Sequence, residues 1–260
     1  MAKQETAVAV KEEAAVAVKE EAALPSVIDF GADAGAGFEE ADSTSYAIPF
    51  LRVLQAISPQ CKKLDPAYVK GAEEGDFFNT VTEKLYKGEV GVTVVPCHYI
   101  HKFNAWAPRE TGGGIRGTYT AAEAANLRTE QNEKFQQVLE DGSILTDTRE
   151  HYVMIVNDDG TFEPALLALS GTQLKKSKKW MTLMQGIRIQ GQVAPMFSQM
   201  YKLMPTAESN DKGSWTGIKV EHVGPVNSMD LYQAAKQFRD MVRSGNVQAA
   251  PADDDDVPFA

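Results

Sequence analysis

The sequence predicts a β-rich α+β fold with disordered ends, and two observations lead to that prediction. Residues 90–223 contain several runs rich in β-branched and aromatic residues, separated by turns with Gly, Asn and Asp, which is typical of short strands. The net charge of −10 comes entirely from residues 1–40 and 253–256, because residues 41–252 are neutral. Strongly charged ends cannot bury a core.

Three regions follow from this division. We predict a disordered, low-complexity acidic segment over residues 1–43, a single domain over residues 44–245 and a disordered acidic tail over residues 246–260. In the first segment an eight-residue Ala/Val/Lys/Glu unit is repeated over residues 7–22. A period of eight matches neither a heptad nor a solenoid repeat, so this stretch is expected to be disordered or a fraying helix.

The elements of the domain are predicted in order from apolar periodicity and turn residues. They are a helix over 49–57, a strand over 90–103 bent at Pro96, a Gly-rich loop at 112–117, a helix over 121–139, strands over 150–156 and 162–169 joined by an Asp-Gly turn, a helix over 172–185, strands over 195–203 and 214–223, and a final helix over 228–242. A five-stranded OB barrel has its helix between the third and fourth strands. We therefore predict a decorated five-stranded OB-like barrel with accessory helices, although another β-rich α+β fold would show the same pattern.

Several classes of protein are excluded by what the sequence lacks. It contains no run of 18 apolar residues and no signal-peptide pattern, so we expect a cytoplasmic protein without a membrane partner. Phosphate-binding loops, nucleophile elbows and His-Glu-x-x-His are also missing, which favours a binding protein that is not an enzyme and has no cofactor. Cys97, His98 and His101 lie close together, but Cys97 and His98 would point to opposite faces of a strand, so no metal site is predicted.

The C-terminal tail is the most specific signal in the sequence. Four aspartates are followed by a short apolar end, which can enter a pocket on a partner while the acids meet its Lys and Arg residues. The tail residues are Asp253, Asp254, Asp255, Asp256, Val257, Pro258 and Phe259. A simple solubility tail is the alternative.

This tail resembles that of bacterial and phage single-stranded DNA-binding proteins, which end in an acidic run closed by Pro-Phe or Phe. The resemblance implies an OB-fold core, non-specific binding of single-stranded DNA, and a tail that recruits replication or recombination proteins and competes with DNA. It also implies the host-cell cytoplasm if a phage encodes the chain. The chain departs from the pattern because it ends in Ala260, so the terminal carboxylate does not belong to Phe259.

Basic residues interleaved with aromatic residues suggest where DNA would bind, since cations follow the phosphates and aromatic rings stack on bases. The candidates are Tyr99, Lys102, Phe103, Trp106, Arg109, Arg116, Lys175, Lys176, Lys178, Lys179, Trp180, Tyr201, Lys202, Trp215 and Lys219. For Tyr99 and Phe103 the alternative is a place in the core, and for residues 175–180 it is a solvated helix face.

Three functions compete at this point. The first is sequence-nonspecific binding of single-stranded DNA in phage replication, recombination or repair. The second is a non-enzymatic interaction module, such as a recombination accessory or a regulator of host polymerase. The third is a virion or scaffold component, in which the N-terminal repeat would mediate assembly. Homo-oligomerisation, site size, and preference for DNA or RNA are left open.

Overall fold

The computed structural model describes residues 32, 36–40, 45–108, 111–211 and 213–249. The chain divides into two units, Met1–Ala41 and Asp42–Ala260, and the fold presented below belongs to the second. In the described residues, no helix has the length and apolar character needed to cross a membrane.

The second unit is mainly β-structure with three α-helices. The strands are β1 (Ala47–Ile48), β2 (Leu51–Val53), β3 (Phe77–Asn79), β4 (Leu85–Tyr86), β5 (Val92–Trp106), β6 (Ile115–Thr120), β7 (Thr129–Gln131), β8 (Gln137–Leu139), β9 (Ile144–Val156), β10 (Phe162–Ser170), β11 (Arg188–Ile189), β12 (Gln192–Val193), β13 (Gln199–Asn210), β14 (Gly213–Pro225) and β15 (Gln248–Ala249). The helices are α1 (Ala121–Ala124), α2 (Leu174–Gly186) and α3 (Met229–Arg243).

Two long antiparallel strands, β5 and β9, form the centre of an eight-stranded sheet. In one half of the sheet β13 pairs with the start of β5, β14 pairs with β13, and β10 pairs with β9. In the other half β6 pairs with the end of β5, and β8 and β7 continue from the start of β9. The sheet curls into a half-barrel, and we call these two parts the barrel half and the arm.

A β-bulge at Cys97 decides which side chains of β5 share a face. The register with β9 shifts between Pro96 and His98, so one extra residue lies in β5. Val94 pairs with Ile155 before the bulge, and Tyr99 pairs with His151 after it. Because Ile155 and His151 lie four residues apart in one strand, Val94 and Tyr99 face the same side. We call this side, which carries the larger core, the inner face.

Each face of the sheet is covered by one helix. On the inner face Trp180 and Met184 of α2 pack with Val94, Ile155 and Leu203. The outer face is covered by α3, whose buried residues are Leu231, Ala235, Phe238 and Val242. The curled sheet therefore has two apolar cores, one under each helix.

The segment before β3 lies between the edge strands β10 and β14. The Leu166 N–H of β10 donates to the Pro49 carbonyl over 2.8 Å. The Gln55 side chain donates to the Thr216 carbonyl of β14 over 2.9 Å and accepts from the Thr216 N–H over 2.8 Å. Residues 49–55 thus connect two strands that do not pair with each other in the part of the chain described.

Most of the predicted elements after residue 140 are confirmed. The hairpin of β9 and β10, the hairpin of β13 and β14, and the helices α2 and α3 are present, and their bounds agree with the prediction within a few residues, except that β9 begins at Ile144 and β13 continues to Asn210. The predicted strand at 195 begins only at Gln199, because Met196–Ser198 forms a 3-10 turn.

Two predicted helices are wrong. Over 49–57 the chain forms β2, since it pairs with β3 and reaches β10 instead of presenting one apolar stripe. Over 121–139 only α1 is helical. A capping box between Thr120 and Glu123 starts this helix, but Asn132 then accepts hydrogen bonds from the N–H groups of Lys134 and Gln136 and fixes a turn between β7 and β8.

Candidate nucleic-acid interface

A row of aromatic side chains continues the inner face of the sheet into the arm. Tyr99, His101 and Phe103 follow one another at every second position of β5, and Tyr119 of β6 is the cross-strand partner of Phe103. All four are half-buried, and the rings of His101 and Phe103 lie 5.2 Å apart. We call these four residues the aromatic strip.

A side chain at position 117 would collide with Tyr119 of the strip. A Cβ atom at Gly117 would lie 2.8 Å from the Tyr119 hydroxyl oxygen and 3.1 Å from its ring. Glycine therefore allows the Tyr119 ring to lie close against its own strand, which leaves a flat edge beside Phe103.

Side chains of β9 hold the rings of the strip in place through hydrogen bonds and an ion pair. Arg149 donates to both carboxylate oxygens of Asp147 over 2.8 and 2.9 Å, and to the Tyr99 hydroxyl over 2.9 Å. His101 Nε2 lies 3.1 Å from Asp147 Oδ1. Asp147 balances the charge of Arg149, so this network orients the rings without adding a net positive charge.

His151 joins the aromatic strip to α2. Its ring lies 5.2 Å from that of Tyr99 and stacks on Trp180 at 4.6 Å, while Nε2 is 2.8 Å from Ser177 Oγ. Burial, together with the nearby charge of Arg149, lowers the pKa of His151 to about 3. The imidazole is therefore neutral at physiological pH and acts as a structural link between the strip and the helix.

Beside this link α2 presents lysine side chains to solvent. Lys175, Lys178 and Lys179 are exposed and neighbour one another at spacings of three and four on the helix. We call them the lysine face. The fourth lysine, Lys176, is paired with Glu208 at 2.5 Å. The opposite side of the same helix turns inward at Ser177 and contacts His151, so the helix that carries the lysine face is joined through His151 to Tyr99 of the aromatic strip.

The stretch of sequence that contains this helix carries charges of one sign. Between Glu163 and Glu208 the sequence contains six Lys and Arg residues and no Asp or Glu. Residues 41–252 are neutral as a whole, so the rest of that range has six more acids than bases, and this stretch carries the local excess of positive charge. Such a concentration attracts phosphate groups even when the net charge of the chain is negative.

Three predicted stacking residues are corrected by their burial. Trp180 is 1% exposed, Tyr201 is 0% exposed and Trp106 is 5% exposed. The rings of Trp180 and Tyr201 contact each other at 5.7 Å within the inner core. A base cannot reach a ring that the protein itself covers, so we leave these three residues out of the interface.

The other predicted cations and Trp215 lie apart from the strip or are engaged elsewhere. Lys102 points to the outer face, where it pairs with the buried Glu150 at 2.6 Å. Arg116 lies 3.4 Å from Asp141 and Lys219 lies 2.6 Å from Glu221. These two cations are exposed and lie outside the strip.

On β13 and β14, Lys202 is half-buried, and the half-buried Trp215 donates to Glu208 over 3.1 Å. The predicted Arg109 and the tail residues 253–259 lie outside the described residues.

The prediction missed the residues of β9 that support the strip. A signal for them was present, because Asp147, Arg149 and His151 alternate and then continue in phase with the apolar Val153 and Ile155. That period of two places all five on one face of a strand. Tyr119 was also missed, since the strand β6 lies in a segment predicted as the margin of a loop.

The cysteine and the two histidines of β5 do not gather around a common point. Cys97 is buried and its thiol donates to the Val95 carbonyl, whereas His98 and His101 lie on opposite faces of the sheet. Burial, with the charges of Arg239 and Arg243 on α3, lowers the pKa of His98. The described part of the chain contains no group of three His, Cys, Asp or Glu residues arranged to hold a metal ion.

Comparison with known proteins gives one match. A family model described as Pam3 phage gp34-like protein matches residues 18–248. No curated protein and no solved structure matches the chain. The matched range includes the aromatic strip and the lysine face.

Proposed function

The chain belongs to the Pam3 phage gp34-like family, and we propose that this phage protein binds single-stranded DNA without sequence preference, in support of phage DNA replication, recombination or repair. The observation that carries the proposal is that His151 joins the aromatic strip to the helix that carries the lysine face. Single-strand binding requires a track of cations beside ring surfaces, because phosphates and bases alternate along the strand.

The two surfaces would bind different parts of the DNA strand. The lysine face offers three solvated ammonium groups for phosphates, and binding to them releases counterions. Tyr99, Phe103 and Tyr119 are half-buried, so each ring is held by its neighbours yet retains an accessible part. Stacking on such rings contributes roughly 1–3 kcal/mol per base and tolerates any base.

The order of strand pairing supports an OB-like core. The strands β5, β9 and β10 form a meander, α2 follows, and β13 returns to pair with β5 before β14 pairs with β13. An OB barrel is a partly open, five-stranded Greek-key barrel, and this arrangement agrees with it in strand and helix order. Where β10 and β14 would close the barrel, residues 49–55 hydrogen-bond to both.

The acidic tail completes the proposal on sequence grounds. Its four aspartates would compete with DNA phosphates for the lysine face, and Phe259 would enter an apolar pocket on replication or recombination proteins. Deleting residues 253–260 is then expected to tighten DNA binding.

A fluorescence anisotropy titration of labelled oligo-dT at several salt concentrations tests the proposal. We expect the double variant K178A/K179A to bind more weakly and to reduce the slope of log K against log [salt] by about 1.4, since each phosphate contact on a single strand contributes about 0.7.

The matched control is K62A/K63A, which removes two adjacent exposed lysines from the segment between β2 and β3. It should leave the salt slope unchanged. Equal slopes for the two double variants, or no binding by the intact protein at low salt, would contradict the proposal.

A further inference from the structure

The tip of the hairpin formed by β7 and β8 carries a phenylalanine in an unfavourable setting. Phe135 is 73% exposed and its φ is +62°. Residues other than glycine rarely adopt positive φ, and Asn or Asp are preferred when they do. A large apolar ring that is mostly exposed and held in a sparsely populated backbone conformation points to a contact with another molecule.

The turn holds this ring in a fixed position. Asn132 Oδ1 accepts hydrogen bonds from the N–H groups of Lys134 over 3.0 Å and Gln136 over 2.9 Å, and its Nδ2 donates to Gln136 Oε1 over 2.8 Å. A ring presented on such a turn loses little conformational entropy when it binds.

The charge around the tip argues for a protein partner and against DNA. Residues 121–143 contain five acids and two bases, and next to the tip Glu130 and Glu133 are exposed together with one base, Lys134. Acidic groups repel phosphates. The hairpin therefore suits a partner with an apolar pocket surrounded by cations.

The same chain contains a pocket of that kind. It lies between α2 and the β11–β12 hairpin, has a volume of about 240 Å³, and is lined by Met181, Thr182, Met184, Gln185, Val193, Ala194 and Met196. Methionine side chains adapt their shape to an aromatic ring. On α2, Lys178 lies three and four residues before Met181 and Thr182, and Arg188 donates to the carbonyl of Gln185 beside the pocket. No acid lies between residues 164 and 207.

We propose that the β7–β8 hairpin of one copy inserts Phe135 into the methionine-lined pocket of a second copy. Glu130 and Glu133 then face Lys178 and Arg188 across the contact. The two surfaces are different, so the contact is head-to-tail, and each copy keeps one free hairpin and one free pocket for further copies. Repetition produces chains of subunits, and their formation requires no DNA.

Sedimentation velocity of the full-length protein over a range of concentrations, without DNA, tests this contact. We expect reversible self-association, and we expect F135G to weaken it about 30-fold, as for removal of an aromatic hot spot. Glycine relieves the positive φ, so F135G should unfold at a higher temperature than the wild type while associating less.

A matched control comes from another turn. Glu83 is exposed and also has a positive φ of 55°, so E83G should raise the unfolding temperature and leave association unchanged. A wild type that is monomeric at all concentrations overturns the proposal, and so does F135G associating like the wild type.

A charge exchange identifies the pair of surfaces. K178E and E133K should each weaken association, and K178E/E133K should recover it. Two losses that simply add overturn the assigned contact. If association disappears on deletion of residues 253–259 but survives in F135G, the pocket binds the tail and the proposal fails. DNA binding is measured separately, so its failure does not affect this test.

Discussion

Helices α2 and α3 contact adjacent residues of one strand but on opposite faces of the sheet. His151 of β9 stacks on Trp180 of α2, and the next residue, Tyr152, contacts Phe238 of α3 at 6.3 Å. The solvent-facing sides differ. Acids and bases are mixed along α3, whereas α2 has four lysines and no acid. Both helices complete a core, but only α2 has side-chain charges of a single sign, and this difference is why the proposed DNA interface is assigned to the side of the sheet that α2 covers.

The two helices also differ in the buried side chains by which they pack on the sheet. The buried side chains of α3 are all apolar, at positions 231, 235, 238 and 242, and this regular spacing suffices to hold a helix. The buried side chains of α2 are Ser177, Trp180 and Met184, and Ser177 and Trp180 contact the buried His151 of β9. Polar packing contacts beneath a charged helix surface are less stabilising than apolar packing. Such an arrangement is more typical of a functional face than of a purely structural one.

The largest expected effect concerns the apolar packing of α3 on the sheet. We expect F238A to lower the free energy of unfolding by about 3–5 kcal/mol, because it removes a fully buried ring and leaves a cavity. Urea denaturation measures the loss. DNA affinity of the folded protein should stay unchanged, since α3 lies on the opposite face from the lysine face.

The control for this substitution is M229A on the same helix, where the side chain is 68% exposed. It should change stability by less than about 0.5 kcal/mol. If F238A weakened DNA binding as strongly as K178A/K179A does, the functional contrast between the two helices would be lost.

This contrast also shows how far the sequence determines the molecule. The bounds of α3 were predicted within about a residue because its apolar stripe is regular and Ser228 provides an N-cap. For α2 the bounds were predicted, but Trp180 was assigned to the surface because lysines surround it in sequence. Its burial depends on stacking with His151, a contact made by a distant strand that no local pattern reveals.

The aromatic strip was predicted in part for a similar reason. The alternation of Tyr99, His101 and Phe103 places them on one face, but only the bulge at Cys97 brings that face into line with the inner core and α2. The predicted bend at Pro96 marked the place without specifying the slip of one residue. Such a slip exchanges the faces of every later side chain.

Acid is expected to act on α2 before α3. The pKa of His151 is about 3 in the folded protein, against an ordinary value of 6.5. Below pH 6.5 the unfolded chain binds a proton that the folded protein does not bind, so stability decreases as the pH falls towards 3. The decrease is about 1.4 kcal/mol per pH unit for this group.

Denaturation curves at several pH values measure this effect, with H151Q as the comparison because glutamine can still hydrogen-bond Ser177 and does not titrate. The variant should lose less stability than the wild type as the pH falls. His98 beneath α3 is partly buried and its pKa is lowered too, so a smaller dependence should persist in H151Q. Parallel curves for the two proteins would contradict a neutral His151.

The smallest effect concerns the start of each helix. Ser228 caps α3 by accepting a hydrogen bond from the Leu231 N–H over 3.4 Å, whereas α2 begins at Gln173 without a side-chain cap. Gln173 instead accepts from the Ile218 N–H of β14 over 3.1 Å. We expect S228A to lower the free energy of unfolding by about 1 kcal/mol. Q173A should lower the free energy of unfolding by a similar amount, because it breaks the hydrogen bond to β14. Amide hydrogen exchange at Ile218 should become faster in Q173A and stay unchanged in S228A. Unchanged exchange at Ile218 in Q173A would mean that the Gln173 side chain does not link the start of α2 to β14.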